Sequence, residues 1–220
     1  MAVRKESFNP KKPYIMSNVK IAIIYYTSTG ANYQMAQWAQ AGAEAAGAEV
    51  RILKIHETAP QQAIEGNEAW KKTYDRLKNE PEASMDDLEW ADAIIFSAPT
   101  RYGSISSQFQ SFFDQTGGLW AQGKLVNKVV SAMSSAQNPH GGQESTVLAI
   151  YKNMSHWGAI IVPVGYTDNS VFGAGGNPYG CTATVSQDGQ IKTDNLEPAV
   201  IHQAKRTVQV AQWVKNGIGG

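Results

Sequence analysis

This chain has little of several things, and each shortage narrows what it does. Among its 220 residues there is one cysteine, Cys181, so no intrachain disulfide forms. A lone cysteine fits a reducing cytosol, and a cytoplasmic location is expected. There is no charge of one sign in excess: 19 Lys and Arg balance 19 Asp and Glu. A protein that wraps nucleic acid carries a basic face or stripe, and the only basic cluster here is Lys11-Lys12, so nucleic-acid binding is disfavoured. No apolar run approaches the roughly 18 residues of a membrane span. The stretch Met1 to Ser17 has charges but no apolar segment of the kind a signal peptide needs. The four histidines are scattered, with no metal-ligand spacing, so no metal site is expected. Neither G-x-G-x-x-G nor G-x-x-x-x-G-K-[ST] opens a helix anywhere, which removes the usual dinucleotide and nucleoside-triphosphate fingerprints.

Apolar material is present in quantity. Hydrophobic residues make up 42% and charged residues 17%, enough for a packed core and too little charge for a disordered chain. The first apolar run, Val19 to Tyr26, feeds into Thr27-Ser28-Thr29-Gly30-Ala31-Asn32, and a helical pattern leaves that turn near Ala31. Strand, hydroxyl-rich turn and helix together form a phosphate site: backbone N–H groups, three hydroxyls and the positive end of a helix dipole converge. The turn holds no Lys or Arg, so a phosphate here is expected to be held mainly by hydrogen bonds.

Further strands read at Glu49–Ile55, Ala91–Ala98, Lys128–Met133 and Ala159–Val164, the second polar enough for a sheet edge. Helical spacing appears after the first turn, through Gln108 to Gln115, at Val147, Ile150, Tyr151 and Met154, and at Ile201, Ala204, Val208 and Ala211. Gln61 to Lys78 has room for one more helix, and Ser84-Met85-Asp86-Asp87 looks like a helix cap. Strands that alternate with helices five times predict an α/β fold, a parallel sheet with helices on both faces. Residues 1–17 read as an arm outside the fold. Residues 18–220 read as one domain with inserts at about 56–90 and 165–193. Ligands in such sheets sit beyond the carboxyl ends of the strands. Three loops stand there, all rich in small or polar residues: 27–32, 99–103 and 134–142. With Tyr102, Trp120 and Trp157 nearby in sequence, a phosphorylated planar cofactor such as flavin mononucleotide (FMN) suits them.

At this point the motifs carry a family resemblance. Thr27-Ser28-Thr29-Gly30-Ala31-Asn32 resembles the flavodoxin phosphate loop. Pro99-Thr100-Arg101-Tyr102-Gly103, the run from Phe112 to Trp120, His140-Gly141-Gly142-Gln143-Glu144 and Val162-Pro163-Val164-Gly165-Tyr166 are together similar to the WrbA-type NAD(P)H:quinone oxidoreductases. The resemblance spans roughly residues 19–215. It implies a flavodoxin-like doubly wound sheet of strand order 2-1-3-4-5, bound FMN, NADH or NADPH as reductant, a quinone as substrate, and a homotetramer in exchange with dimers.

Carried over by position, the resemblance assigns Thr27, Ser28, Thr29, Gly30, Ala31 and Asn32 to the FMN phosphate. It puts Pro99, Thr100, Arg101, Tyr102 and Gly103 along the isoalloxazine ring. Ser134, Ser135, Ala136, Gln137, Asn138, His140, Gly141 and Gly142 flank the ribityl chain and ring. His156 corresponds to a flavin-contacting histidine, and Trp120 to an aromatic beside the nicotinamide or quinone. His156, Trp120 and Arg101 are thereby the candidate catalytic residues, and Trp120 and Thr29 the candidate substrate contacts. Two departures stand out. Better-known members have Tyr where this chain has Thr29, and the 134–142 loop is one residue longer. The implied chemistry is a ping-pong exchange of two electrons on one site. The alternatives are a flavodoxin-type electron carrier and a regulatory protein-binding module.

Overall fold

The computed structural model describes residues 19–218; the expected arm at 1–17 lies outside them. At the centre is a parallel sheet in the order β2-β1-β3-β4-β5. Its strands are β1 (Lys20–Tyr25), β2 (Glu49–Lys54), β3 (Ala93–Pro99), β4 (Val129–Ala136) and β5 (Ile160–Ile161). This is the order the resemblance implies, with β2 at the edge that its polar residues predict. Around and between the strands lie α1 (Ala31–Ala45), α2 (Gln61–Glu65), α3 (Glu68–Leu77), α4 (Met85–Trp90), α5 (Ser107–Asp114), α6 (Gly117–Ala121), α7 (Gln143–Trp157), α8 (Asn169–Gly173) and α9 (Leu196–Ile218).

Side chains alternate across a strand, so a strand apolar at every position must be covered on both faces. That is what β1 does. Ile21, Ile23 and Tyr25 enter a core shared with Met35, Ala39 and Ala43 of α1 and Ala199, Ala204 and Val208 of α9. Ala22 and Ile24 enter the opposite core, with Phe109 and Phe113 of α5 and Val147, Ile150 and Met154 of α7. Phe96 of β3 anchors that second core through edge-on contacts to Phe109, Phe113 and Trp157.

The fifth strand differs from the run Ala159–Val164. The Val162 N–H still donates to the Val130 carbonyl, but Pro163 has no N–H to continue the ladder. The chain leaves, forms α8, and returns as β6 (Thr182–Thr184), which pairs with the far half of β4 from Ser134 to Ala136. Two short strands thus share the edge that one was expected to fill. The stretch Gln61–Lys78 also divides where one helix was expected. Gly66 and Asn67 break it, and the Asn67 Oδ1 accepts from the Trp70 N–H to start α3. The expected cap is present: the Asp87 carboxylate accepts from both the N–H and the hydroxyl of Ser84. Asp87 also pairs with Arg51 of β2 at 2.8 Å, fixing α4 to the sheet edge.

Candidate active site

All three expected loops stand together at the carboxyl edge. The first joins β1 to α1. Thr27 Oγ1 accepts from the Gly30 N–H at 2.9 Å, and Gly30 closes the turn at φ 100°, a backbone region that glycine enters without strain. The helix begins at once, with the Gln34 N–H donating to the Gly30 carbonyl. The first-turn N–H groups of α1 have no partner within the helix and carry the positive end of its dipole.

Asn32 is buried and belongs to the frame of the site rather than to its lining. Its Oδ1 accepts from Ser135 Oγ at 2.7 Å, and its Nδ2 donates to Ser97 Oγ at 3.2 Å. Ser97 Oγ in turn donates to the Asn32 carbonyl. One side chain therefore ties the start of α1 to the ends of β3 and β4.

The second loop is a tight hairpin. Arg101 and Ser104 exchange two backbone hydrogen bonds, and the two residues between them, Tyr102 at φ 52° and Gly103 at φ 78°, are both left-handed. Two positive φ angles in succession define the turn type that closes two-residue hairpins. For Tyr102 that conformation costs on the order of 1 kcal/mol, and its ring is fully exposed at the tip. Thr100 Oγ1 accepts from the Gly103 N–H and from the Thr146 hydroxyl of α7, which holds the hairpin upright. Arg101 reaches across to the first loop, where its Nη2 donates to Ser28 Oγ at 2.9 Å.

The third loop backs onto the second. A Cβ on Gly142, itself at φ 90°, would stand 2.5 Å from the Gly103 Cα. Only bare backbone permits this approach. Asn138 braces the loop: its Oδ1 accepts from the His140 N–H, and its carbonyl from the Gly141 N–H and Gln143 Nε2. Gln137, Asn138 and His140 are exposed, and Ser134 Oγ is buried without a hydrogen-bond partner among the described residues.

The turn itself contains no Lys or Arg, but positive charge stands beside it. Arg76 of α3 lies beside Gly30, its Nη2 3.1 Å from where a Cβ on Gly30 would stand. With Arg101 on the other side, two guanidinium groups flank a turn that contains none. A run of 18 residues around Arg76 offered only weak local cues, because the contact depends on how α3 docks. Glu57 does that docking, and the sequence reading missed it. Its carboxylate accepts from the Tyr26 hydroxyl, Trp70 Nε1, Gln108 Nε2 and the Ala59 N–H. Helix α3, helix α5 and the end of β1 meet at that one acid.

His156 and Trp120 are not brought to the cradle within one chain. Helix α7 starts at the third loop and runs to the opposite edge of the sheet. Fourteen residues separate Gly142 from His156, about 21 Å along a helix axis. There the Trp120 indole N–H donates to the His156 carbonyl at 3.0 Å. The two exposed side chains border a shallow cleft of about 300 Å³ with Asp114, Thr116 and Asn153. Thr29 does lie at the cradle. It borders a groove of about 630 Å³ that continues to Arg76, Trp38 and Gln190.

Residues 19–169 match the family described as NADPH-dependent FMN reductase. A Deinococcus radiodurans protein named NAD(P)H dehydrogenase (quinone) is 52% identical over 192 residues, 87% of this chain and 95% of that one. A Sinorhizobium fredii protein of the same name is 38% identical, covering 81% of this chain and 89% of its own. Among solved structures, a flavodoxin, WrbA-like protein from Agrobacterium tumefaciens superposes with a TM-score of 0.61 at 21% identity, over 89% of this chain and 99% of that one. An archaeal flavodoxin superposes with a TM-score of 0.53 at 17% identity, over 90% and 99%. These structural likenesses establish the flavodoxin-like fold. Over three quarters of its described length, and at more than half identity to a full-length relative, this chain belongs to the NADPH-dependent FMN reductase family.

Proposed function

We propose that the chain is an FMN-dependent NAD(P)H dehydrogenase that reduces quinones by two electrons. The observation that carries this reading is the three-loop cradle at the carboxyl edge of the sheet. The residues present fit a phosphorylated flavin. The first turn offers hydroxyls, helix N–H groups and two flanking guanidiniums to a phosphate. Gly103 and Gly142, packed backbone to backbone, present a surface without protruding Cβ atoms to a planar ring, with the exposed Tyr102 side chain at its rim. Ser134 adds an unpartnered buried hydroxyl beside the third loop. The relatives named NAD(P)H dehydrogenase (quinone) support the same reading.

FMN bound here would supply two-electron, hydride-level chemistry between a reduced nicotinamide and a quinone. This chain's residues hold, orient and shield. Thr27, Ser28, Thr29 and the N–H groups up to Asn32 hold the phosphate. Pro99 through Gly103 and the loop from Ser134 to Gly142 line the ring, with Arg101 placed to stabilise negative charge. Reductant and quinone use one open face in turn, a ping-pong order.

The positions of Trp120 and His156 support a homotetramer in which one copy completes another's site. Both are exposed; His156 stands about 21 Å of helix from Gly142, and Trp120 is held beside it by its hydrogen bond to the His156 carbonyl. In trans they meet the substrate face of a neighbouring copy. Dimers in exchange with that tetramer would leave the site open on one side. No helix among the described residues is long and apolar enough to cross a membrane. A cytoplasmic location goes with NAD(P)H as reductant.

The test is spectroscopic. Purified protein with added FMN should show a bound-flavin spectrum, NADH or NADPH should bleach it, and a quinone should restore the colour. Absence of flavin binding would overturn the reading. Intersecting rather than parallel double-reciprocal plots would overturn the ping-pong order.

A further inference from the structure

We propose that Arg76, on the α3 insert, supplies the counter-charge of the FMN phosphate and so makes this chain select phosphorylated flavin over riboflavin. The inference rests on the FMN reading above and names a residue that lies outside the three cradle loops. A phosphate monoester carries a charge between −1 and −2 near neutral pH. The turn from Thr27 to Asn32 offers only neutral donors, so the balancing charge must come from elsewhere. Arg101 is partly committed: Nη1 donates to the Thr100 carbonyl and Nη2 to Ser28 Oγ.

Arg76 is differently placed. It stands one helical turn after Thr73, so both side chains face the same way. Thr73 is buried against the turn, its Oγ1 3.8 Å from the Cβ position of Gly30, and the Arg76 Nη2 is 3.1 Å from that same point. The guanidinium lies 5.6 Å from the centre of the Tyr33 ring, which steadies it without neutralising it. Among the described residues no carboxylate comes within ion-pair distance of Arg76. Its helix is anchored through Trp70 to the Glu57 carboxylate, so the charge is positioned before any ligand arrives. The groove beside it is also lined by Asp188 and Glu197.

The experiment compares FMN and riboflavin binding to apoprotein by quenching of flavin fluorescence, for the wild-type chain, Arg76→Gln and Arg76→Lys. Arg76 is exposed, so the substitutions are expected to leave the melting temperature within a degree or two. The expected result is a loss of about tenfold in FMN affinity for Arg76→Gln, the size of one charge-assisted hydrogen bond. Riboflavin affinity stays unchanged, the salt dependence of FMN binding weakens, and Arg76→Lys restores part of the loss. Equal FMN affinity in Arg76→Gln would overturn the proposal, as would an equal loss for riboflavin, which would mark a structural role. A wild-type chain that binds neither flavin fails the functional reading itself, whereas wild-type FMN binding with an indifferent Arg76 fails this inference alone.

Discussion

Trp120 donates its indole N–H to the main-chain carbonyl of His156 across 3.0 Å, which fixes the indole at the end of α7 remote from the chain's own cradle. If the pair works on a neighbouring copy, Trp120→Ala should leave FMN affinity within twofold. It should lower kcat/KM for quinone about tenfold, the effect of one lost aromatic contact of roughly 1.4 kcal/mol. Mixing Trp120→Ala with a second variant that has Trp120 but cannot bind FMN should recover activity in the mixed oligomer. Recovery that never appears would place Trp120 outside the site.

Asn32 is a joint between three elements. Asn32→Ala strands the Ser135 hydroxyl and removes the Nδ2 donation to Ser97, both in buried surroundings. The expected cost is about 2–3 kcal/mol, and FMN affinity should fall with it because the first turn of α1 loses its tether. Chemical denaturation and fluorescence titration read the two effects separately.

Gly142→Ala introduces a Cβ where the Gly103 Cα already stands at 2.5 Å, on a residue whose φ of 90° disfavours any side chain. Two loops must separate to admit it. The variant should lose about 1–3 kcal/mol of stability and most of its FMN affinity. Gly117→Ala, in the same chain, meets no atom within 4 Å and serves as a control for stability.

Cys181 is free, buried, and its thiol is pushed up to about 12 by burial. A raised thiol pKa leaves the reactive thiolate scarce throughout the physiological range. The native protein should therefore resist a thiol reagent at pH 8 for hours, and titrate as one thiol after unfolding. Rapid native reaction would show that the β4–β6 edge opens readily.

Asp87 predicts an acid-side loss of stability. Burial raises its carboxyl pKa, but the hydrogen bonds from Ser84 and Arg51 outweigh that and hold it below the ordinary value. A carboxyl lowered in the folded state stabilises above its unfolded pKa, near 3.9, and loses that contribution as pH falls through the lower folded value. Asp87→Ala should cost about 1–2 kcal/mol at pH 7, with the Arg51 share reduced by its exposure. The gap between variant and wild type should narrow below about pH 4. A gap that stays constant from pH 7 to pH 3 would mean that the charge contributes nothing.

Much of this protein is legible before folding. The near-continuous apolar run of β1 demands cover on both faces, and a parallel sheet between two helix layers provides it. The polar residues of β2 place it at an edge. Loops full of Gly, Ser and Thr at three carboxyl strand ends mark the site, because backbone can approach a ligand only where side chains are small. The capping residues Ser84 and Asp87 are readable because a cap is a local event within four residues.

What stayed hidden depends on docking rather than pattern. Asn32 looked like a ligand donor, yet its amide is spent on Ser135 and Ser97, residues 103 and 65 positions away. Pro163 ended one ladder, but nothing in the run itself showed that Thr182–Thr184 would resume the same edge. The separation of His156 from the cradle could have been counted, since a helix advances 1.5 Å per residue.

Periodicity and small-residue chemistry, acting over a few residues, are enough to set the layers, the strand edge and the positions of the three loops. The folded arrangement alone sets the charge around the turn after β1 and the separation of His156 and Trp120 from the three loops. Glu57 docks α3 so that Arg76 stands beside Gly30, and the direction of α7 carries His156 and Trp120 to the opposite edge. Both outcomes rest on where a rigid helix lies relative to a turn far from it in sequence, and no local pattern encodes that distance.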